Sequence, residues 1–241
     1  ALGSMLALGL ALRGAGRHVV ASFGDRHFAV PRLLRFLPGQ ELLVAPAEYP
    51  AAPALMITFD VATVERLGLL EDNARNAAEL LVVDHHASNV AATGFGTLRL
   101  VDPTAAATAV LAEELITRLG LPVDEHIATC LYTGLVTDTG SFRYGVTPAV
   151  HDMAGRLVAT GLATDAITRA LSAMPMTTSS TSPMRRSNRR PAGAYNACAT
   201  SSKPTLLRAA SARPSSVQTY SRSATRCSVS RCMTSAGSRQ R

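Results

Sequence analysis

The sequence has no tryptophan, only four cysteines and no apolar run long enough to cross a membrane. A membrane-spanning helix needs about 20 consecutive apolar residues, and the best stretches here are interrupted by Arg, Gly or Asp. The apolar first residues follow no basic region and precede no cleavage-like sequence, so we do not predict a signal peptide. We therefore expect a cytoplasmic protein that does not act at a membrane.

The cysteines show no pairing pattern. They form neither a C-x-x-C pair nor a Cys/His spacing typical of zinc sites. We expect free thiols, as in other proteins of a reducing compartment, at Cys130, Cys198, Cys227 and Cys232.

Acidic residues are missing from the last 76 residues of the chain, since all 17 lie before residue 166. Residues 1–175 contain 12 Arg and no Lys, for a net charge of −5. Residues 176–241 contain 11 Arg, one Lys and no acid, for a net charge of +12. The sequence thus joins a mildly acidic part to a strongly basic one.

The basic part has the composition of a disordered tail. Ser and Thr supply 23 of its 66 residues, and large aliphatic residues are sparse. So little apolar surface cannot offset the entropy lost on ordering, and we predict disorder over residues 173–241. Three interpretations stay open: an arm that binds RNA or a membrane surface, a tail that binds nothing specific, or an out-of-frame translation of a GC-rich gene.

Residues 1–172 alternate between helical and strand-like patterns. Short buried strands separated by helices predict an α/β fold with a mainly parallel sheet and helices on both faces. The predicted strands are residues 17–23, 54–59, 79–83 and 97–101, and the predicted helices are residues 2–13, a short one from Pro31, 105–119, 125–136, 147–161 and 164–171.

Three predicted strands end on an aspartate, at Asp60, Asp84 and Asp102. Functional groups gather at the carboxyl ends of parallel strands. Asp84 is followed by His85 and His86, and carboxylates and imidazoles are the usual ligands of Mn, Zn or Fe. The alternative is a pair of histidines satisfied by local hydrogen bonds.

The two imidazoles of this segment should point in different directions, because side chains alternate along an extended chain. One could then bind a metal ion while the other faces the substrate. Asp84 could hold an imidazole by its second nitrogen.

Two further aspartates complete a candidate ligand set. Asp60 is predicted to precede a helix, so by itself it could be a helix cap, and Asp138 by itself could belong to a polar turn. Together with the His pair, they form a set typical of phosphoryl chemistry with paired metal ions. No Walker A loop, dinucleotide-binding glycine pattern or G-x-S-x-G elbow competes with this interpretation.

Four segments carry a family resemblance: FD at 59–60, VDHHASN at 83–89, VDPTAAAT at 101–108 and YTGLVTDTGSFRY at 132–144. They resemble the DHH phosphoesterases, which include RecJ-like exonucleases, cyclic-dinucleotide phosphodiesterases and family II inorganic pyrophosphatases. The resemblance covers residues 1–172 and is most similar to the branch of bifunctional oligoribonucleases and pAp phosphatases (nanoRNases).

The resemblance implies a centre with two Mn²⁺ ions. Asp60 would bridge the two ions, and His85 and Asp138 would complete the ligands of one of them. His86 would face the scissile phosphate, Asp84 would support the His pair from behind, and Arg143 would lie near the substrate.

The implied reaction is hydrolysis by metal-activated water. The implied substrates are short oligoribonucleotides, pAp and linear or cyclic dinucleotides, and the resemblance also allows a homodimer.

Two features of the family do not occur in these 241 residues. One is the H-x-x-x-D-x-D motif before the first helix, which would supply three metal ligands, and we expect the chain to begin just after it. The other is a C-terminal substrate-binding lobe with a Gly-rich, His-containing loop. Residues 173–241 stand where the family has this lobe and do not resemble it. We therefore expect negligible hydrolase activity from this chain. Three alternatives remain: a family II-like pyrophosphatase, a non-catalytic RNA-binding protein that uses the basic tail, or a damaged gene product.

Overall fold

One five-stranded sheet organises the protein, for which a computed structural model describes residues 1–90, 95–172 and 197–200. The strands are β1 (Ala21–Phe23), β2 (Met56–Phe59), β3 (Leu80–Asp84), β4 (Leu98–Val101) and β5 (Ala197–Thr200). The α-helices are α1 (Leu2–Gly14), α2 (Glu71–Arg75), α3 (Ala87–Val90), α4 (Thr108–Arg118), α5 (Glu125–Asp138), α6 (Pro148–Val158) and α7 (Thr164–Ser172). Short 3-10 helices span Arg32–Leu34, Gln40–Leu42, Pro46–Glu48 and Val64–Leu70.

The strand order is β1-β5-β2-β3-β4. Strands β2, β3 and β4 pair in parallel, with Phe59 opposite Val83 and Val83 opposite Leu100. Strand β5 is antiparallel to both β1 and β2, so β1 runs in the same direction as β2, β3 and β4. The prediction of a mainly parallel sheet is confirmed.

The two faces of the sheet pack against different helices because side chains alternate along each strand. Ile57, Phe59 and Val83 belong to the larger core, which also contains buried residues of α1, α4, α5 and α6. Met56 and Val82 point the other way, into a smaller core formed with the Val64–Leu70 helix and α2. Both faces of the sheet are therefore covered, as predicted.

Two local features fix α5 in place. Its N-cap is Asp124, as predicted, and the carboxylate accepts a 2.8 Å hydrogen bond from the backbone N–H of Ile127. Helix α1 crosses the middle of α5 so closely that a Cβ atom on Gly3 would lie only 2.4 Å from the carbonyl oxygen of Cys130. Helix α5 ends at Asp138, beside the carboxyl end of the sheet.

Residues 197–200 differ from the prediction of disorder over residues 173–241. They form β5, with Ala197 opposite both Phe23 of β1 and Phe59 of β2. A strand between two others is held by backbone hydrogen bonds, which need no apolar periodicity. The prediction for residues 173–196 and 201–241, and with it each interpretation of the tail, lies outside the described residues.

Some predicted boundaries also differ. Strand β1 begins at Ala21 rather than at residue 17, and the short helix predicted from Pro31 is a single 3-10 turn. Among the described residues, no helix is long and apolar enough to span a bilayer.

Candidate metal centre

Asp60 follows β2 in an uncommon backbone conformation. Its φ angle of 65° lies in the left-handed region, which costs a non-glycine residue about 1 kcal/mol or more. Its N–H donates to the Val83 carbonyl at 2.9 Å, and its Oδ1 accepts a 3.0 Å hydrogen bond from Thr108 Oγ1. Asp60 does not cap a helix, since the next helix has Thr63 at its N-cap position. The carboxyl end of β2 is therefore followed by a strained residue whose carboxylate faces α4.

His85 is oriented by the loop that precedes α4. Its Nδ1 lies 3.1 Å from the carbonyl oxygen of Ala105. A carbonyl oxygen can only accept a hydrogen bond, so Nδ1 must be the donor. The Nδ1 atom is therefore protonated, and Nε2 carries the free lone pair in the neutral ring. The Nε2 atom lies 3.5 Å from Asp60 Oδ1. This is the arrangement of a metal-binding histidine fixed through its second nitrogen.

His86 is oriented by the buried carboxylate of Asp84. Asp84 Oδ1 accepts from the backbone N–H of His86 at 3.1 Å and from its Nδ1 at 2.7 Å. Asp84 Oδ2 accepts from Asn89 at 2.8 Å, and the same amide nitrogen also donates to the Val61 carbonyl. Asp84 thus lies behind His86 alone, whereas the Ala105 carbonyl holds His85.

Three side chains converge at the carboxyl ends of β2 and β3. Each of Asp60, His85 and His86 offers one ligand atom, and these atoms lie within 4.8 Å of one another. Atoms bound to one ion at about 2.1 Å each can be up to about 4.2 Å apart, so a small adjustment accommodates a cation. The donor set of carboxylate and imidazole suits Mn, Zn or Fe.

Asp138 supplies an independent indication of a cation. Its carboxyl group is buried at the end of α5, and Oδ2 has no hydrogen-bond partner among the described residues. Burial raises the pKa of Asp138, and the nearby Asp60 carboxylate raises it further. A buried carboxylate without a partner is costly, and a bound cation would remove that cost. The residues present therefore fit a metal ion.

The charge of Asp60 is maintained by its neighbours. Burial raises the pKa of this carboxyl group, whereas the neighbouring His86, the Thr108 hydroxyl and His85 lower it. An ionised Asp60 is the form that binds a cation.

Comparison with known proteins identifies the family. Residues 1–135 match the N-terminal domain of the DHH family. The chain belongs to the DHH family. The segment Asp84-His85-His86 that orients the centre is the motif from which the family takes its name, so the resemblance seen in the sequence is confirmed.

Individual proteins are also similar to this DHH chain in sequence. A bifunctional oligoribonuclease and PAP phosphatase, NrnA of Thermus thermophilus, is 35% identical over 164 residues, which are 67% of this chain and 47% of the relative. An MG371 homolog of Mycoplasma pneumoniae is 30% identical over 109 residues, 45% of this chain and 32% of that protein. The chain thus spans about half or less of the length of these relatives.

A solved structure shares the fold. An exopolyphosphatase-related protein of Bacteroides fragilis superposes with a TM-score of 0.62 at 22% identity, over 71% of this chain and 52% of the other. At this level of identity, the likeness supports the DHH fold alone.

Two candidate functional residues from the sequence lie apart from the cluster of Asp60, His85 and His86. Asp102 follows β4, but its carboxylate accepts from the backbone N–H and the hydroxyl of Thr104, so it stabilises a local turn. Arg143 is exposed in the turn after α5, where its backbone N–H donates to the Thr139 carbonyl. The described structure records no contact of its guanidinium with the cluster.

Residues that orient the centre were not predicted individually. Thr108, Ala105 and Asn89 hold Asp60, His85 and Asp84, respectively. All three occur in the segments VDPTAAAT and VDHHASN that carried the DHH resemblance. Thr108 and Ala105 are 48 and 20 residues from their partners, so only the fold shows these two pairings, whereas Asn89 lies five residues from Asp84.

Proposed function

We propose that this chain forms the metal centre of a phosphoesterase that hydrolyses short oligoribonucleotides, pAp or linear and cyclic dinucleotides. The observation that carries the proposal is the convergence of Asp60, His85 and His86 at the end of a parallel sheet. The name of the Thermus thermophilus relative, which covers two thirds of this chain, supports the choice of substrates.

We propose Mn²⁺ as the metal and assign Asp60, His85 and Asp138 as its ligands, with Asp60 as the bridging group if two ions are bound. Such ions lower the pKa of water and neutralise charge on a phosphoryl group. Asp60 and Asp138 supply the negative charge, and the His85 Nε2 atom supplies a neutral ligand.

His86 is assigned to the substrate. Its Nδ1 is held by Asp84, and its side chain is 44% exposed, so Nε2 is the atom that would meet a phosphoryl oxygen or exchange a proton with it. Asp84 acts as a positioning residue because it is fully buried and its oxygens are occupied by His86 and Asn89.

We also propose that the chain alone hydrolyses its substrates negligibly, because the H-x-x-x-D-x-D motif expected to supply three further ligands does not occur in it. The test therefore needs binding as well as turnover. Calorimetry should show that the 241-residue chain binds AMP only with Mn²⁺ present, and that Asp60→Asn abolishes this binding. Binding that does not depend on Mn²⁺ or on Asp60 would contradict the proposed centre.

Turnover should be measured on the same samples with pAp, a dinucleotide and pyrophosphate. Rapid hydrolysis of pAp would contradict the proposed loss of activity but not the function. Preferential cleavage of pyrophosphate would instead favour the pyrophosphatase alternative.

The net charge of +12 over residues 176–241 favours RNA binding as a second candidate function. It requires salt-sensitive RNA binding that is lost when residues 201–241 are deleted, a change that leaves β5 intact. Retention of RNA affinity after this deletion would exclude residues 201–241, which carry eight of the twelve positive charges, as the binding element. The cytoplasmic location and a homodimer stay predictions.

A further inference from the structure

The turn after α5 is held in an energetically costly conformation. Gly140, Ser141 and Phe142 have φ angles of 58°, 61° and 60°, and the left-handed region disfavours Ser and Phe. Buried Thr139 imposes this conformation: its Oγ1 accepts from the Phe142 N–H at 3.0 Å and donates to the Leu135 carbonyl at 2.7 Å. Backbone strain that is held by specific contacts is typical of functional segments.

The strained turn directs two aromatic residues in different ways. Phe142 anchors it, since its partly buried ring packs against Tyr132 and His151 with centroid distances of 6.0 and 5.6 Å. Tyr144 is 71% exposed, more than any other large hydrophobic residue that the structure describes. Its ring lies over Gly140, where a Cβ atom would be 3.0 Å from Cδ2. One edge of the Tyr144 ring thus contacts the turn at Gly140, and most of the ring surface is exposed.

Backbone contacts place Tyr144 next to two segments that border the candidate metal centre. Its N–H donates to the carbonyl of Thr139, the residue after Asp138, at 3.0 Å. On the other side, the neighbouring Gly145 lies against Ala106, with a Cβ position 3.8 Å from it. Ala106 follows Ala105, whose carbonyl orients His85. Tyr144 therefore lies between the segment that follows Asp138 and the segment whose carbonyl orients His85.

We propose that Tyr144 is a stacking surface for a nucleobase of the nucleotide bound at the metal centre, an inference that rests on the proposed function. An open aromatic face beside a phosphate site suits a nucleotide, because every base has a flat π-face and stacks on Tyr without sequence preference. The adjacent Arg143 adds an exposed positive charge for the phosphates. The surface would select nucleotides over other phosphate esters.

Calorimetry with AMP and ribose 5-phosphate, in the presence of Mn²⁺, tests the proposal because these ligands differ only by the base. The full chain should bind AMP about tenfold more tightly than ribose 5-phosphate. Tyr144→Ala should remove this preference by weakening AMP alone, whereas Tyr144→Phe should keep it. Leu69→Ala, which truncates an exposed apolar side chain elsewhere, serves as the matched control and should change neither affinity.

The outcomes separate this inference from the function on which it rests. If Tyr144→Ala keeps the preference for AMP, or if the unaltered chain shows none, the stacking surface is refuted while Mn²⁺-dependent binding through Asp60 still stands. If the preference depends on Tyr144 but binding is insensitive to Mn²⁺ and Asp60→Asn, the stacking surface stands and the phosphoesterase function is refuted. Circular dichroism of each variant checks that the fold is retained.

Discussion

Asp60 combines two roles that conflict at the scale of a single residue. Its carboxylate is required for the proposed cation, yet its φ angle of 65° suits glycine better than aspartate. The hydrogen bonds to Val83 and Thr108 hold the residue in this conformation. The sequence revealed the aspartate at a strand end but not its conformation, because a left-handed φ follows from tertiary contacts.

Replacing Asp60 by glycine or by alanine separates strain from charge. Both variants remove the carboxylate, but only Gly accepts a positive φ without strain. We expect Asp60→Gly to be more stable than Asp60→Ala by about 1 kcal/mol, measured as the free energy of unfolding in urea. Equal stabilities would show that the position is not strained.

Thr108 matters at the scale of the element, since it is the first residue of α4 and is fully buried. Its hydroxyl donates to Asp60 Oδ1 and so links the helix to the candidate centre. Thr108→Val keeps the shape but removes the donor, and we expect Mn²⁺ affinity to fall about tenfold. Thr108→Ser should retain the affinity. Calorimetry with Mn²⁺ distinguishes the variants, and equal affinity for Thr108→Val and the unaltered chain would exclude the role.

The close crossing of α1 and α5 is a second property of elements. A methyl group on Gly3 would meet the Cys130 carbonyl at 2.4 Å, whereas one on Gly14 would meet nothing within 4 Å. We expect Gly3→Ala to destabilise the fold by about 2 kcal/mol, and Gly14→Ala, the control at the other end of α1, to change stability by less than about 0.5 kcal/mol. Thermal unfolding measures the difference. If Gly3→Ala leaves the stability unchanged, the contact between α1 and α5 can widen without cost.

The elements that the sequence predicted are those with local causes. Strand β2 is a buried apolar run that Asp60 follows, and β3 is one that ends on Asp84. Asp124 caps α5 by a contact three residues away. Pairings between distant segments were not predicted, such as the Ala105 carbonyl with His85. Strand β5 was also missed, because its four residues have no periodic pattern and depend on β1 and β2 for every backbone partner.

At the scale of the whole molecule, Cys130 reports on opening of the core. It is fully buried in α5, and desolvation raises the pKa of its thiol well above the usual range. Only the thiolate reacts with iodoacetamide, so the native protein should leave Cys130 unmodified at pH 8 while the urea-unfolded chain is alkylated. Peptide mass mapping identifies the site, and fast native labelling of Cys130 would indicate a loosely packed core.

The position of β5 has a consequence for the order in which the chain can fold. Strands β2, β3 and β4 and their helices are complete by residue 172, but β1 joins the sheet only through β5, whose residues are synthesised last among the described elements. Contacts between such distant segments form slowly, because closing a long loop costs entropy before any contact rewards it. Until then, the facing edges of β1 and β2 expose unpaired backbone groups that another chain can bind. Newly made protein should therefore depend on dilution or chaperones to avoid aggregation during this interval.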